Sequence, residues 1–463
     1  MGNTYISANE ASGRFSVKPE LFWVCTISLN RKFLPNLKNK IMLLAAPPKT
    51  KKALIIVHNH PHFFPGGAEI FAYDLFKAIR AHTEYKPFFL AAADPNAREV
   101  HTGTPFQTLS NANDEALFWG GSFDYFYQSQ QILSFMYVDF KNFLLELQPD
   151  VIHFHHTIRF GVEAIAIARQ VLPDVQIVLT LHEFILICNR DGQMVRKDNE
   201  KLCESASPDS CARCFPDYSP QQFKMREQFL KTHLDLVDRF ISPSHFLAKR
   251  FIDWGLSGSK ITVLENGRQI CESSPHRALD SENKRNHFGF FGQINPYKGV
   301  LLILEAVEYL VEHDFNDFHI DLFGNIATGF PEFEAEFTEF LDKYQDIVTH
   351  HGRYQQSEIP ELIQLVDWVI VPSVWWENSP LVIQEVFMHQ RPIICSNIGG
   401  MAEKVEDQVT GLHFKVRDQI SLAKTMQKSC ENNEIWQELV NNIEPRLSIT
   451  DSAKQHVQLY ESV

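Results

Sequence analysis

Residues 375–385 read Trp375-Trp376-Glu377-Asn378-Ser379-Pro380-Leu381-Val382-Ile383-Gln384-Glu385 (WWENSPLVIQE). Ser379 is a good side-chain cap and Pro380 a good first helical residue, so a helix should begin here. The amides of Leu381 and Val382 are then free of intrahelical partners, at a helix end whose partial positive charge suits an anion. Glu377 and Glu385 stand eight residues apart. On one regular helix they would differ by about 80° of rotation. With Glu377 on the preceding loop, both carboxylates can face one cleft. Plainer readings are a surface-loop acid for Glu377 and a dipole-complementing acid for Glu385.

Two other loops share this logic. Phe291-Gly292-Gln293-Ile294-Asn295-Pro296-Tyr297-Lys298-Gly299 follows an apolar run and opens a helix, placing the Lys298 cation beside the helix start. Ser396-Asn397-Ile398-Gly399-Gly400-Met401 again joins strand to helix, and its paired glycines allow close backbone approach. Three such helix starts at one sheet edge suggest a diphosphate.

Outward from these loops the chain repeats strand, loop and helix. In the second half the expected strands are 287–291, 319–323, 347–350, 368–371 and 392–395, with helices over 300–311, 358–365 and 381–390. In the first half strands are expected over 53–58, 88–92, 151–155, 176–181, 239–242 and 261–264, with a helix from Gly67 to Ile79. The expected fold is α/β: two Rossmann-like, doubly wound domains facing a central cleft. The division is a basic extension over 1–52, a first domain over 53–270, a polar linker over 271–286, a second domain over 287–430, and a closing helical segment over 431–463 that returns to the first domain.

The 463 residues carry 57 acidic and 43 basic side chains, a net charge of −14, which argues against bulk nucleic-acid binding. No run of about 18 apolar residues is present to span a membrane. Between Leu21 and Lys52 seven basic residues occur with no acid: Arg31, Lys32, Lys38, Lys40, Lys49, Lys51 and Lys52. This segment is read first as a solvated leader, with peripheral contact to anionic lipid as the alternative. The expected location is the cytoplasm, with membrane association on the cytoplasmic face under that alternative. Four of the 8 cysteines, Cys188, Cys203, Cys211 and Cys214, fall within 27 residues, the last two as Cys-x-x-Cys. Structural zinc or free thiols are the two readings of that cluster.

FGQINPYKG, ENSPLVIQE and NIGGMAEKV, in that order, resemble the carboxyl half of the retaining glycosyltransferases of family four, and the paired acids match that family's Glu-x7-Glu element. Pro65-Gly66-Gly67-Ala68-Glu69, PDVIHFHH (149–156), LTLHEF (179–184), DRFISPSHF (238–246) and ITVLENG (261–267) are similar to its first half. The resemblance implies a GT-B fold with the nucleotide sugar on the second domain and the acceptor mainly on the first. It implies catalytic roles for Glu377, His182 and Lys298. It implies donor binding by Gly66, Gly67, Gln293, Lys298, Asn378, Ser379, Leu381, Val382, Glu385, Gly399 and Gly400. Glu385 would hold the ribose, Glu377 the transferring sugar and Lys298 the leaving diphosphate. Gln293 departs from the basic residue usual in the family, with Arg268 or Arg353 as candidate replacements. A subset of the family has a similar cysteine-bearing insertion after the strand ending in His-Asp or His-Glu.

The function expected is transfer of a hexose, with retention, from a UDP- or GDP-sugar to a glycan or lipid-linked saccharide. No cofactor is expected for catalysis, since no Asp-x-Asp occurs. The alternatives are a degenerate GT-B binding or scaffold subunit, favoured by Gln293, and an epimerase-like GT-B enzyme.

Overall fold

The computed structural model describes residues 50–93, 104–109, 113–132, 134–279 and 284–462. The basic segment up to residue 49, with its expected lipid contact, and Cys25 lie outside the described residues. No helix among the described residues is long and apolar enough to cross a membrane.

Two sheets organise the chain. The first has, in spatial order, Ile261–Val263, Arg239–Ser242, Gln176–Thr180, Val151–Phe154, Lys52–Val57, Lys86–Ala92, Glu115–Phe118 and Phe106–Thr108. Every pair is parallel except the last, which is antiparallel. The second sheet is wholly parallel: Val348–Gly352, His319–Phe323, His287–Phe291, Trp368–Val371, Ile393–Ser396 and Gly411–Phe414. The central strands are apolar on both faces because helices cover both sides, and such runs read directly from sequence. The strands Phe106–Thr108, Glu115–Phe118 and Gly411–Phe414, at or next to a sheet edge, were not among those expected from the sequence.

In each sheet the strand order reverses beside the first strand of its half. Lys52–Val57 lies between Lys86–Ala92 and Val151–Phe154, and His287–Phe291 lies between His319–Phe323 and Trp368–Val371. At such a switch point the loops leave to opposite faces and open a crevice beyond the strand ends. In the first half the loops after 57 and 154 meet there; in the second, the loops after 291 and 371.

The linker expected over 271–286 is anchored to the second half. Arg277 Nε and Arg285 Nη1 each lie 2.9 Å from a carboxylate oxygen of fully buried Asp367. Ser274 donates its hydroxyl to Pro360 O at 2.7 Å and its N–H to His389 Nδ1 at 3.0 Å.

The closing segment needs a correction. Its first helix, Asn433–Asn442, stays on the second half, with Trp436, Leu439 and Val440 in that core and Trp436 Nε1 donating to Asp367 O at 2.8 Å. Only the last helix, Ile449–Glu461, crosses back. Its Ile449, Ala453, Leu459 and Tyr460 join the core built on Lys52–Val57 and Gly67–His82. Both helices have an apolar stripe; the indole N–H, which needs a carbonyl when buried, decides for the first.

The returning helix completes a buried histidine layer. Fully buried His153 places Nδ1 2.7 Å from the Tyr460 hydroxyl and Nε2 2.7 Å from Thr180 Oγ1. His155 Nδ1 meets His182 Nε2 at 3.0 Å, and His456 Nδ1 meets Ser452 O at 2.7 Å. Burial lowers all four: His153 and His155 well below the usual imidazole range, His182 to about 3 and His456 to about 4. Burial and the neighbouring His62 take His60 to about 4 as well. In the unfolded chain these groups protonate near pH 6.5, so their contribution is intact above that pH and is lost as pH falls from about 6.5 toward about 4. His60, His182 and His456 should each cost up to about 1.4 kcal/mol per pH unit across that window. The urea midpoint of the full chain should therefore fall steeply from pH 7 to pH 5; a flat midpoint would contradict neutral buried imidazoles.

Candidate functional site

The two switch points meet at a cavity of about 530 Å³ lined from both halves. The second half contributes Lys298 and the loop Trp375–Leu381; the first contributes His58, Gly67, Ala68, Glu69, Tyr125, His156, His182, Glu183 and Asp191, among others.

Glu377 is the centre of the second-half wall. Its Oε1 receives Lys298 Nζ at 2.5 Å, Trp375 Nε1 at 2.8 Å and Ser373 Oγ at 2.9 Å. Burial works to raise this carboxyl, but the Lys298 charge and these bonds outweigh it and hold it below the usual range. Lys298 ends a short 3₁₀ turn, Pro296–Lys298, capped by Asn295 Oδ1, which accepts from the N–H groups of Tyr297 and Lys298 at 3.0 Å. Gly299 follows at φ +75°, where a Cβ would lie 2.1 Å from Pro372 O. That contact locks the Lys298 turn against the strand feeding Glu377.

The helix begins at Leu381, with Pro380 in the capping position. Ser379 was expected to cap; instead its buried hydroxyl has no partner and lines the cavity. Its place before Pro380 takes it out of capping reach. Leu381 faces the other half, its side chain 3.5 Å from where a Cβ on Gly67 would sit. Val382 packs into the core behind the helix. Asn378 Nδ2 donates across the cleft to His182 O at 2.9 Å.

Gly399 and Gly400 stand behind this wall, outside the cavity lining. Gly400 N–H donates to Glu377 O at 2.6 Å, and a Cβ there would lie 1.8 Å from Asn378 O. The close approach expected for a ligand is spent on the Glu377–Asn378 backbone.

Gln293 is exposed, accepts from Asn295 Nδ2 at 3.1 Å and does not line the cavity. Glu385 also lies outside the lining, since it accepts from Gln356 Nε2 at 3.0 Å and pairs with Arg268. Arg268 is 2% exposed and has Asp74 at 3.8 Å as its other charged neighbour. Among the residues lining the cavity, Lys298 is the one Lys or Arg.

On the first-half wall, Gly67 opens the helix Gly67–His82 and Gly66 precedes it. Gly66 does not line the cavity; a Cβ there would lie 2.4 Å from the Glu69 carboxylate. Glu69 accepts from His58 Nε2 at 2.9 Å and Asn59 Nδ2 at 3.2 Å. Burial opposes its charge, but the His58 bond and its own backbone N–H outweigh burial and hold it at about 2. This helix start is thus already neutralised from within its own first turn. His156 accepts from Ile158 N–H through Nδ1 at 3.2 Å, which leaves Nε2–H to donate to Glu183 at 3.0 Å.

Sequence reasoning passed over His58, Glu69, Tyr125, His156, Glu183, Asp191 and both tryptophans as site residues. Three of them, His58, His156 and Glu183, follow within three residues of the end of an apolar strand, which is the signal that could have found them.

The four clustered cysteines line one small cavity of about 20 Å³ as free thiols. Burial pushes Cys211 up to about 11 and raises Cys188 and Cys203. Among the described residues no group of three or more His, Cys, Asp or Glu is placed so that it could hold a metal ion. The zinc reading of Cys188, Cys203, Cys211 and Cys214 thus does not fit the arrangement. The loop instead braces the site: Trp376 Nε1 donates to Cys203 O at 3.0 Å, and Arg190 Nη2 donates to the Tyr297 hydroxyl at 3.1 Å.

Two family models match consecutive parts of the chain: Glycosyltransferase Family 4 over residues 65–270 and Glycosyl transferases group 1 over residues 274–446. The chain belongs to the family-four glycosyltransferases of the GT-B fold. An uncharacterized 41.2 kDa protein in the cps region of Klebsiella pneumoniae is 22% identical over 49% of this chain and 62% of its own length. The lipopolysaccharide 1,2-N-acetylglucosaminetransferase of Salmonella typhimurium is 26% identical over 38% of this chain and 48% of its own. The chain spans about half the length of the curated relatives it matches. Anabaena HepE, solved with UDP and glucose, matches with TM-score 0.62 and 17% identity over 89% of this chain and all of its own. Sucrose-phosphate synthase from Thermosynechococcus elongatus matches with TM-score 0.65 and 15% identity over 89% and 98%. These structural likenesses establish the fold.

The Arg268–Glu385 pair carries a stability prediction. Glu385→Ala strands a buried guanidinium and should lower unfolding free energy by about 3 kcal/mol. Glu385→Gln keeps a hydrogen-bond acceptor and should cost less. Urea unfolding of both variants checks the order, and equal stabilities would remove the pair from the fold's support.

Proposed function

We propose that the chain transfers a hexose from a nucleoside-diphosphate sugar to a saccharide or lipid-linked saccharide, with retention and without a catalytic metal. The observation that carries this reading is Lys298 on Glu377 at the start of the helix Leu381–Met388, inside a cavity closed from both halves. The free amides of that helix start and the Lys298 ammonium are the groups suited to a diphosphate. A new bond forms between the acceptor oxygen and the anomeric carbon as the bond to the diphosphate oxygen breaks, and the acceptor's hydroxyl proton leaves with the diphosphate. Lys298 and the helix amides then meet the charge that grows on the leaving group. Glu377, freed from part of its Lys298 bond, accepts from the sugar's hydroxyls. Glu385 serves the ribose hydroxyls through Oε2, while Arg268 and Gln356 share its Oε1 and hold the carboxylate in place. UDP and glucose bound to HepE favour a uridine donor.

Incubation with a panel of UDP- and GDP-sugars, read by mass spectrometry of products, tests the reading. Lys298→Ala should slow transfer by about 30- to 1,000-fold, equivalent to about 2–4 kcal/mol of barrier, in a variant that urea unfolding shows to be destabilised by the loss of Glu377's charge partner but still folded at the assay temperature. Unchanged turnover in that variant, or no product from any donor, would favour a binding or scaffold role.

A further inference from the structure

The first-half wall of the cavity has a chemical character of its own. Glu69, Glu183 and Asp191 supply carboxylates, and the single lysine belongs to the opposite wall and is already paired. Two further lone pairs are buried without a partner. His58 donates through Nε2 to Glu69, which leaves Nδ1 as an unpartnered acceptor. Asn378, 9% exposed, donates through Nδ2 to His182 O and leaves Oδ1 unpartnered. With the three carboxylates, His58 Nδ1 makes the first-half side of the cavity rich in acceptors, while the donors, namely the Lys298 ammonium, the helix-start amides and the unpartnered Ser379 hydroxyl, belong to the opposite wall. A ligand on the first-half side is held best through its own O–H or N–H groups.

The same wall carries an apolar platform. Tyr125 is 54% exposed at the rim, on the tip of the hairpin Phe123–Asp124/Ser129–Gln130, beside Ile158 and Ile185. Its position is fixed from below. Phe126 stacks on Tyr218 at 4.0 Å, and buried Arg226 donates to Phe126 O at 2.6 Å and to Ile185 O at 2.7 Å. An exposed aromatic ring on an anchored hairpin, at the rim of a cavity that carboxylates also line, suits a ligand with one apolar face and a rim of donors.

Resting on the transferase reading above, we propose that this wall is the acceptor subsite and that it selects a neutral or amine-bearing saccharide. The sugar ring lies on Tyr125, its hydroxyl or ammonium groups donate to Glu183 and Asp191, and saccharides bearing phosphate or carboxylate at this position are excluded. Such anions offer only further acceptors and negative charge to a wall already made of both.

Saturation-transfer NMR on the full chain tests this with methyl α-glucopyranoside, glucosamine, glucuronic acid and glucose 6-phosphate, alongside calorimetric titration with UDP. The first two sugars should bind and the two acids should not. Tyr125→Ala, a change at an exposed side chain, should reduce the signal of both bound sugars at least fivefold. Glu183→Gln should weaken glucosamine about tenfold while admitting glucuronic acid. Binding of either acid to the unaltered chain as well as the neutral sugar, or indifference to Tyr125→Ala, overturns the subsite. UDP binding without any sugar binding overturns the subsite alone. Tyr125-dependent sugar binding without UDP binding keeps the subsite and overturns the donor reading.

Discussion

A carboxylate shut into a protein cleft needs compensation, and the site is built around supplying it to Glu377. One oxygen takes three donors, from Lys298, Trp375 and Ser373, and the residue's own carbonyl takes the Gly400 N–H. Each donor comes from a separately shaped piece of backbone. Lys298 depends on the Asn295 cap and the left-handed Gly299, and Gly400 depends on having no side chain where Asn378 O passes. The three loops of the second half thus form one object, in which two support the third.

The same object fixes the seam between the halves. Asn378 reaches the carbonyl of His182, Trp376 reaches that of Cys203, and Leu381 lies against Gly67. On the far side Arg268 ties Glu385 toward Asp74, and Ile449 N–H donates to Arg268 O at 2.8 Å. Side chains that line the cavity therefore also hold the two halves in register. The cysteine-bearing loop joins this seam through a carbonyl and an arginine, so its bracing role does not depend on its thiols.

The two walls divide the electrostatic work. The second half offers a helix start and a lysine to an anion. The first half cancels its own helix start with Glu69, and burial lowers His58 and His182 below the usual imidazole range. That asymmetry gives the cleft a direction, with an anion-accepting side and a donor-seeking side.

Strand positions and the two-half plan were legible in the sequence because buried parallel strands are short apolar runs, and Trp368–Val371 or Arg239–Ser242 leaves little choice. Lys298, Glu377 and the helix start after Pro380 were legible because turn and capping chemistry is local. The partners of those groups were not. That Glu385 pairs with Arg268, that Gly399 and Gly400 serve the backbone of Glu377, and that Asn433–Asn442 stays behind while Ile449–Glu461 crosses are long-range matters. Each turns on which buried donor finds which acceptor, and residues separated by many turns of chain, 69 positions for Trp436 and Asp367 and 117 for Arg268 and Glu385, leave no periodic trace of that pairing. The sequence by itself determined the elements and the edge at which they would act. The tertiary structure alone decided which polar atoms were satisfied there and which, like His58 Nδ1 and Asn378 Oδ1, were buried without a partner, because satisfaction depends on what folds against an atom and not on what precedes it in the chain.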